Sequence, residues 1–180
     1  MSTIDLVLLG FVWEKPRSAY EIQKHIEHSY LSHSVKISSP AVYKNIGKLE
    51  NSGYLSSESV RKGKMPEKTL YSISQEGRDY FSDLMTETSK KDINIFMDFN
   101  TIIYNIHKLP QTEALRLIES IKANIIKSKG HVQAHIEKNE VDRLDITRAE
   151  TAILEQHIIL FNSLLIWIDN FIKEVEIIHE

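Results

Sequence analysis

The stretch SSPAVYKNIGKLENSGYL, residues 38–55, decides the fold of the first half of this chain. We expect a helix here, with Ser39 as its cap and Pro40 in its first turn, where the missing N–H of proline costs nothing. At 100° per residue, one face of this helix carries Val42, Ile46 and Leu49. The pattern predicts a helix that packs this apolar face into a core.

The opposite face of the same helix carries what a helix needs in the major groove of DNA. Lysines bind phosphates or guanine edges, an aromatic hydroxyl contacts bases, and small residues allow close approach. Gly47 is an unusual choice, because glycine inside a helix costs roughly 1 kcal/mol relative to alanine. A close approach of DNA would explain it. The predicted contact residues of this helix are Ser39, Ala41, Tyr43, Lys44, Gly47, Lys48 and Asn51.

The segments around this helix predict a winged helix-turn-helix. The apolar run from Ile4 to Val12 is typical of a short buried helix, and a second helix begins at Ser18. Residues 55–73 then change to a pattern of two strands, and a further helix begins at Ser74. The order predicts a mainly α fold with a small β-hairpin wing, followed by a helical C-terminal domain.

The turn between the two predicted strands is basic. Residues 1–80 hold 11 Lys/Arg against 9 Asp/Glu, whereas residues 81–180 hold 11 against 16, so the two halves differ in electrostatic character. Basic side chains on a wing reach a phosphate strand or a minor groove. We therefore predict double-stranded DNA as the partner, with wing contacts from Arg61, Lys62, Lys64 and Lys68.

The second half is predicted to be helical throughout from Asp92 onward. We expect a DNA-binding domain over residues 1–87 and a helical dimerisation and possible effector domain over residues 88–180. Apolar residues recur there at alternating intervals of four and three positions, which forms a stripe along each helix. Additional apolar residues beside these stripes widen them. A wide stripe indicates more than one neighbour, including a second subunit. The predicted dimerisation residues are Ile118, Ile121, Ile125, Phe161, Leu164, Ile168, Phe171 and Val175.

A cluster of large apolar side chains follows the predicted winged helix. One interpretation is core packing. The other is a pocket for a small aromatic effector between the two halves, because such pockets are apolar with a few polar groups. The residues concerned are Phe96, Met97, Phe99, Tyr104 and Trp167.

Several kinds of protein do not fit the composition. Without cysteine, the chain has no disulfides, iron–sulfur clusters or thiolate zinc sites. We find no phosphate-binding glycine loop, nucleophile elbow or catalytic triad spacing, so neither an enzyme nor a cofactor is expected. No signal peptide is apparent, and the apolar run at residues 158–168 is interrupted and too short to cross a bilayer. A cytoplasmic protein is expected.

Three histidines leave alternatives open. His131 and His135 stand at i and i+4, as a zinc pair requires, but two ligands do not make a site. His135 and His157 occupy apolar-stripe positions, where they are either hydrogen-bonded structural residues or groups that respond to pH.

The stretch SPAVYKNIGKLENSGYL resembles the recognition helix of PadR-type transcriptional regulators, and GKMPEKTLYSISQEGRDYF resembles that family's wing and following helix. SAYEI is similar to the start of the family's second helix, with Ala19 in place of the usual glycine, and Lys44 stands where proline or arginine is frequent. The resemblance covers roughly the first 85 residues.

This resemblance implies a homodimer formed by the C-terminal helices and a repressor that binds a palindromic operator. In some members a small effector such as a phenolic acid releases the repressor. The family's recognition tyrosine corresponds to Tyr43, and its basic wing to the turn described above. The alternative from a different class is a winged-helix module whose basic surface meets an acidic partner protein.

Overall fold

A computed structural model describes residues 3–29, 35, 37–61, 67–141 and 147–177. The chain divides into two compact units, Met1–Ile93 and Asn94–Glu180. Each unit has a hydrophobic core of its own. The boundary between a DNA-binding and a dimerisation domain at residues 87 and 88 stays a prediction.

In the residues that the structure describes, the first unit has the element order that the sequence predicts. Strands β1 and β2 pair antiparallel, with Leu55 opposite Ile73 and Val60 opposite Lys68. The turn that joins them, including Lys62 and Lys64, lies outside the described residues. The elements are α1 (Thr3–Phe11), α2 (Ala19–His28), α3 (Ser39–Asn51), β1 (Leu55–Val60), β2 (Lys68–Ile73) and α4 (Gln75–Ser89).

The apolar face of α3 is buried as predicted. Val42, Ile46 and Leu49 belong to one core cluster with residues of α1, α2, β1 and α4, such as Leu8 and Ile22. Burying an aliphatic side chain of this size contributes about 1.5–3 kcal/mol, so these contacts fix the rotation of α3 about its axis. The other face of α3 must therefore point outward.

Two of the three predicted helix caps are confirmed. The Ser18 hydroxyl accepts a hydrogen bond from the backbone N–H of Glu21, and the Glu21 carboxylate accepts one from the backbone N–H of Ser18, which completes a capping box. The Ser74 hydroxyl accepts a hydrogen bond from the backbone N–H of Gly77 at 2.9 Å. Both serines thus set the start of a helix in the winged-helix unit.

The predicted cap of α3 is wrong by one residue. The carbonyl of Ser38, rather than that of Ser39, accepts the first helical bond, from Val42 N at 3.2 Å. The hydroxyl of Ser39 is instead engaged with α2, where it accepts a hydrogen bond from Gln23 Nε2 at 3.0 Å. Ser39 therefore ties α3 to α2 through its side chain.

The end of α3 turns the chain directly into the hairpin. Gly53 has φ of 77°, a left-handed conformation that glycine adopts without steric cost. Its N–H donates to Glu50 O at 2.9 Å and the N–H of Tyr54 donates to Leu49 O at 2.9 Å, which are the two bonds of a Schellman motif. The wing therefore begins at a fixed angle to α3.

The second unit consists of helices, but the expectation of helix throughout is wrong. Residues 92–97, which span the boundary between the two units, form no regular element, and side chains there such as Ile93 and Phe96 are almost fully exposed. A short helix needs a covered apolar face to be stable. The elements are α5 (Asn100–Asn105), a 3-10 turn (Ile106–Lys108), α6 (Gln111–Val141) and α7 (Arg148–Ile177).

Helices α6 and α7 pack against each other within one chain. Ile118 and Ile168 are fully buried between them, and Lys122 Nζ lies 2.8 Å from Asp169 Oδ1 across the same contact. All eight residues predicted to form a dimer belong to this cluster or pack against it. They therefore hold α6 against α7 within one chain. An apolar stripe in the sequence does not by itself distinguish such packing from packing between two subunits.

Candidate nucleic-acid interface

The outward face of α3 presents the side chains that the sequence predicted there. Tyr43 is 49% exposed, and Lys44, Lys48 and Asn51 are also exposed. Ala41, Gly47 and Ser39, which the sequence assigned to the same surface, are half-buried. We call this surface, Ser39, Ala41, Tyr43, Lys44, Gly47, Lys48 and Asn51, the recognition face.

Gly47 is not required by the fold of this unit. A Cβ at this position would meet no atom within 4 Å outside the local helix, among the described residues. Its helical conformation is open to any residue, so alanine would be accommodated and would favour the helix. The absent side chain keeps the recognition face flat at its centre, between Tyr43 and Lys48.

The described part of the wing holds two of its four predicted cations. Arg61 is exposed at the end of β1. At the start of β2, Lys68 Nζ lies 3.0 Å from Glu21 Oε1, and both side chains are nearly half exposed. Hydrogen bonds from Ser18, first from its backbone N–H, together with the ion pair to Lys68, lower the pKa of the Glu21 carboxyl to about 2. The Glu21 carboxylate is therefore ionised at neutral pH.

The wing has a second attachment that the sequence did not reveal. Arg17 and Tyr71 exchange both backbone hydrogen bonds, Arg17 N to Tyr71 O at 3.1 Å and Tyr71 N to Arg17 O at 2.9 Å. A single residue after Pro16 thus acts as a third strand beside β2. One paired residue is too short for a strand pattern, so sequence periodicity gave no signal for it.

The aromatic residues predicted as an effector pocket are only partly brought together. The ring of Trp167 stacks on Phe99 and on Phe171, with centroids 5.9 Å apart in both cases. Phe96 and Tyr104, in contrast, are 90% and 79% exposed. Phe171, which the sequence assigns to dimerisation, belongs to the same stack, while Met97 is half-buried.

A cavity of about 360 Å³ lies elsewhere, in the first unit. None of the five predicted pocket residues borders it. It is lined by Gly10, Phe11, Trp13, Glu14, Arg17 and Phe81.

Helix α7 exposes a row of large apolar side chains. Ile159 and Ile166, two turns apart, are 64% and 66% exposed, and Leu160, Trp167 and Ile177 extend the row. The helix has 30 residues and is long and apolar enough, by length and composition, to cross a membrane. The apolar run at residues 158–168 is thus part of a longer helix that continues beyond it on both sides. The row is an exposed apolar surface, and its contact with water is unfavourable.

The histidines do not assemble a metal site in the part of the chain that the structure describes. No three or more His, Asp or Glu side chains lie together there in a metal-binding arrangement. His157 Nδ1 lies 2.8 Å from the carbonyl oxygen of Ile153, which fits a structural hydrogen bond with Nδ1–H as donor.

Comparison with known proteins agrees with this architecture. Residues 19–90 match the winged helix DNA-binding domain family. Bacillus subtilis PadR in complex with operator DNA has a TM-score of 0.83 at 16% identity, covering 97% of this chain and 98% of PadR. This chain is a winged-helix protein with the PadR fold.

Two further PadR-type structures share this fold over nearly the whole chain. Bacillus subtilis PadR in complex with p-coumaric acid has a TM-score of 0.78 at 14% identity and covers 98% of each chain. The PadR-like transcriptional regulator BC1756 from Bacillus cereus has a TM-score of 0.72 at 22% identity, covering 97% of this chain and 98% of its own. Sequence comparison with curated proteins gives no match. None of these similar structures is described as an enzyme.

Proposed function

We propose that this PadR-fold protein is a DNA-binding regulator of transcription. The observation that carries the proposal is the recognition face: a helix fixed in a winged-helix core points a tyrosine, two lysines and an asparagine outward together. A helix inserted in the major groove contacts base edges with such side chains. The operator complex of Bacillus subtilis PadR, which has the same fold, supports this assignment.

The proposed contacts divide into two kinds. Tyr43, Lys44, Lys48 and Asn51 meet bases or phosphates, and Ala41 and Gly47 permit the approach. Arg61 of the described wing, with Lys62, Lys64 and Lys68, adds phosphate contacts that depend little on sequence. Ser39, half-buried against Gln23, lies at the edge of this surface and positions α3.

We propose that the protein acts as a homodimer through its C-terminal helices. The exposed row on α7, which includes Ile159, Ile166 and Trp167, supports this, because a second copy would remove it from water. A symmetric dimer places two recognition faces about one helical turn of DNA apart, or a multiple of it, and so matches an inverted repeat. Occupying such an operator would repress transcription of the adjacent gene in the cytoplasm.

A small aromatic effector is proposed to release the protein from DNA. The p-coumaric acid complex of Bacillus subtilis PadR supports the ligand class. The stack of Phe99, Trp167 and Phe171 offers a flat apolar surface for such a ring. By linkage, an effector that weakens DNA binding must itself bind the DNA complex less tightly than the free protein. Titrating p-coumarate into the protein–DNA complex tests this, and an unchanged DNA affinity contradicts it.

Selection of binding sites from a random duplex pool, together with the mass of the protein in solution, tests the proposed function. An enriched inverted repeat and a dimer mass are expected. A pool that enriches no sequence would favour the alternative, a winged-helix module that binds an acidic protein. Salt dependence would not separate the two, because every charged interface weakens in salt.

A further inference from the structure

The contact between Glu21 and Lys68 bears on how tightly the wing attracts DNA, given the proposed function. Lys68 is the first residue of β2 and Glu21 stands in the first turn of α2. Their charged atoms, Nζ and Oε1, are 3.0 Å apart, and 46% and 44% of the two side chains are exposed. This wing cation therefore carries an anion beside it.

The carboxylate of Glu21 is fixed in place by the fold. Its Oε2 accepts hydrogen bonds from the backbone N–H and from the hydroxyl of Ser18, both at 2.8 Å, while Oε1 faces Lys68. Leaving this position would break the capping box of α2. Glu21 is therefore unlike a free surface carboxylate, which swings away when a phosphate approaches.

A phosphate that approaches a fixed ion pair meets both of its charges, and the attraction to one is offset by the repulsion from the other. At ordinary ionic strength the Debye length is about 10 Å, which is longer than the separation of the two charges, so a phosphate that approaches Lys68 also meets the repulsion of Glu21. We propose that Glu21 masks the charge of Lys68 and thereby limits the affinity of the wing for the DNA backbone. Because this attraction is independent of sequence, the mask weakens binding to operator and to other DNA by the same factor.

The test compares charge variants on a mixed-sequence duplex and on a selected site, over a series of salt concentrations. Glu21→Gln removes the charge but keeps an oxygen that can complete the capping box, since glutamine serves at this position. It should bind both duplexes several-fold more tightly, and the slope of log affinity against log salt should become steeper by about 1. Lys68→Met, which leaves the carboxylate alone, should bind both more weakly.

The double variant Glu21→Gln/Lys68→Met should return close to the wild-type affinity and slope. Glu87→Gln is the matched control, because it removes a carboxylate from another exposed ion pair of this unit, with Lys90 at 3.1 Å, on α4. It should leave the slope unchanged.

Two results separate the mask from the proposed function. A wild-type protein that binds neither duplex contradicts the proposed function and the mask with it. A wild-type protein that binds, with Glu21→Gln folded by circular dichroism but no tighter than wild type, overturns the mask alone. Weaker binding by Glu21→Gln would likewise overturn it and assign Glu21 to holding the wing in position.

Discussion

A Cβ on Gly77 would lie 2.1 Å from the carbonyl oxygen of Tyr54. The first turn of α4 thus lies directly against the backbone where α3 ends and β1 begins, and the same carbonyl accepts a hydrogen bond from Ser74 N at 3.1 Å. Only glycine leaves room for this contact. It joins the start of α4 to the base of the wing.

Gly77→Ala is expected to destabilise the first unit by roughly 2–3 kcal/mol, because overpacking of a rigid contact forces backbone shifts. Urea unfolding of the whole protein at a fixed concentration measures the loss. A variant as stable as wild type would show that α4 moves away from Tyr54 at little cost.

Gly47→Ala should have the opposite effect on stability. The added methyl group meets open space and improves helix propensity, so the unfolding free energy should rise by about 1 kcal/mol. The same methyl group would stand at the centre of the recognition face and should weaken DNA binding. Parallel urea and DNA titrations measure both effects. A stabilised variant with unchanged DNA affinity would argue against close approach of DNA at this position.

The capping box predicts a pH dependence of stability. Folding lowers the pKa of the Glu21 carboxyl from 4.5 to about 2, so the ionised group stabilises the folded state above pH 4.5. This contribution is lost as the pH falls from 4.5 toward 2, and it is modest because the side chain is nearly half exposed.

Urea unfolding of wild type and Glu21→Gln at a series of acidic pH values measures this contribution. The difference in unfolding free energy between them should stay constant above pH 4.5 and narrow below it. A difference independent of pH throughout would show that Glu21 is not the titrating group.

If the exposed row of α7 forms the proposed dimer interface, Ile166→Glu should dissociate the dimer. A charge in the centre of an apolar interface has no partner to replace its water, which costs several kcal/mol. Analytical ultracentrifugation should show a monomer, while Thr112→Glu, which adds the same charge to an exposed position in the first turn of α6, should stay dimeric. A wild-type monomer that floats with liposomes would instead assign the row to a membrane.

The sequence predicted features whose pattern lies within one helix, and it missed contacts between residues far apart in the chain. The core face of α3 and the cap at Ser18 rest on spacings within one helix, and local geometry fixes them. The pairing of Arg17 with Tyr71 joins residues far apart in sequence through a single bridge, which no periodicity marks.

The apolar stripes of α6 and α7 predicted burial but not its partner. Ile118 and Ile168 pack within one chain, whereas Ile166, two residues from the latter, is exposed. Helical spacing indicates that a face is apolar, and only the three-dimensional packing shows which part of it the same chain covers. The contact of Ser39 with Gln23 was also missed. Ser38 and Ser39 are equally good cap residues by type, and only the packing of α3 against α2 shows that Ser39 is engaged with Gln23.

We propose above all that the recognition face of α3 reads DNA sequence. The most direct test is the ratio of affinities for the selected site and for a mixed-sequence duplex, measured for Tyr43→Ala and for Arg61→Ala. Both side chains are exposed, so neither change disturbs the core. We predict that Tyr43→Ala lowers this ratio about tenfold, since a lost base contact costs roughly 1–3 kcal/mol, while Arg61→Ala weakens both affinities equally. An unchanged ratio for Tyr43→Ala would contradict the claim.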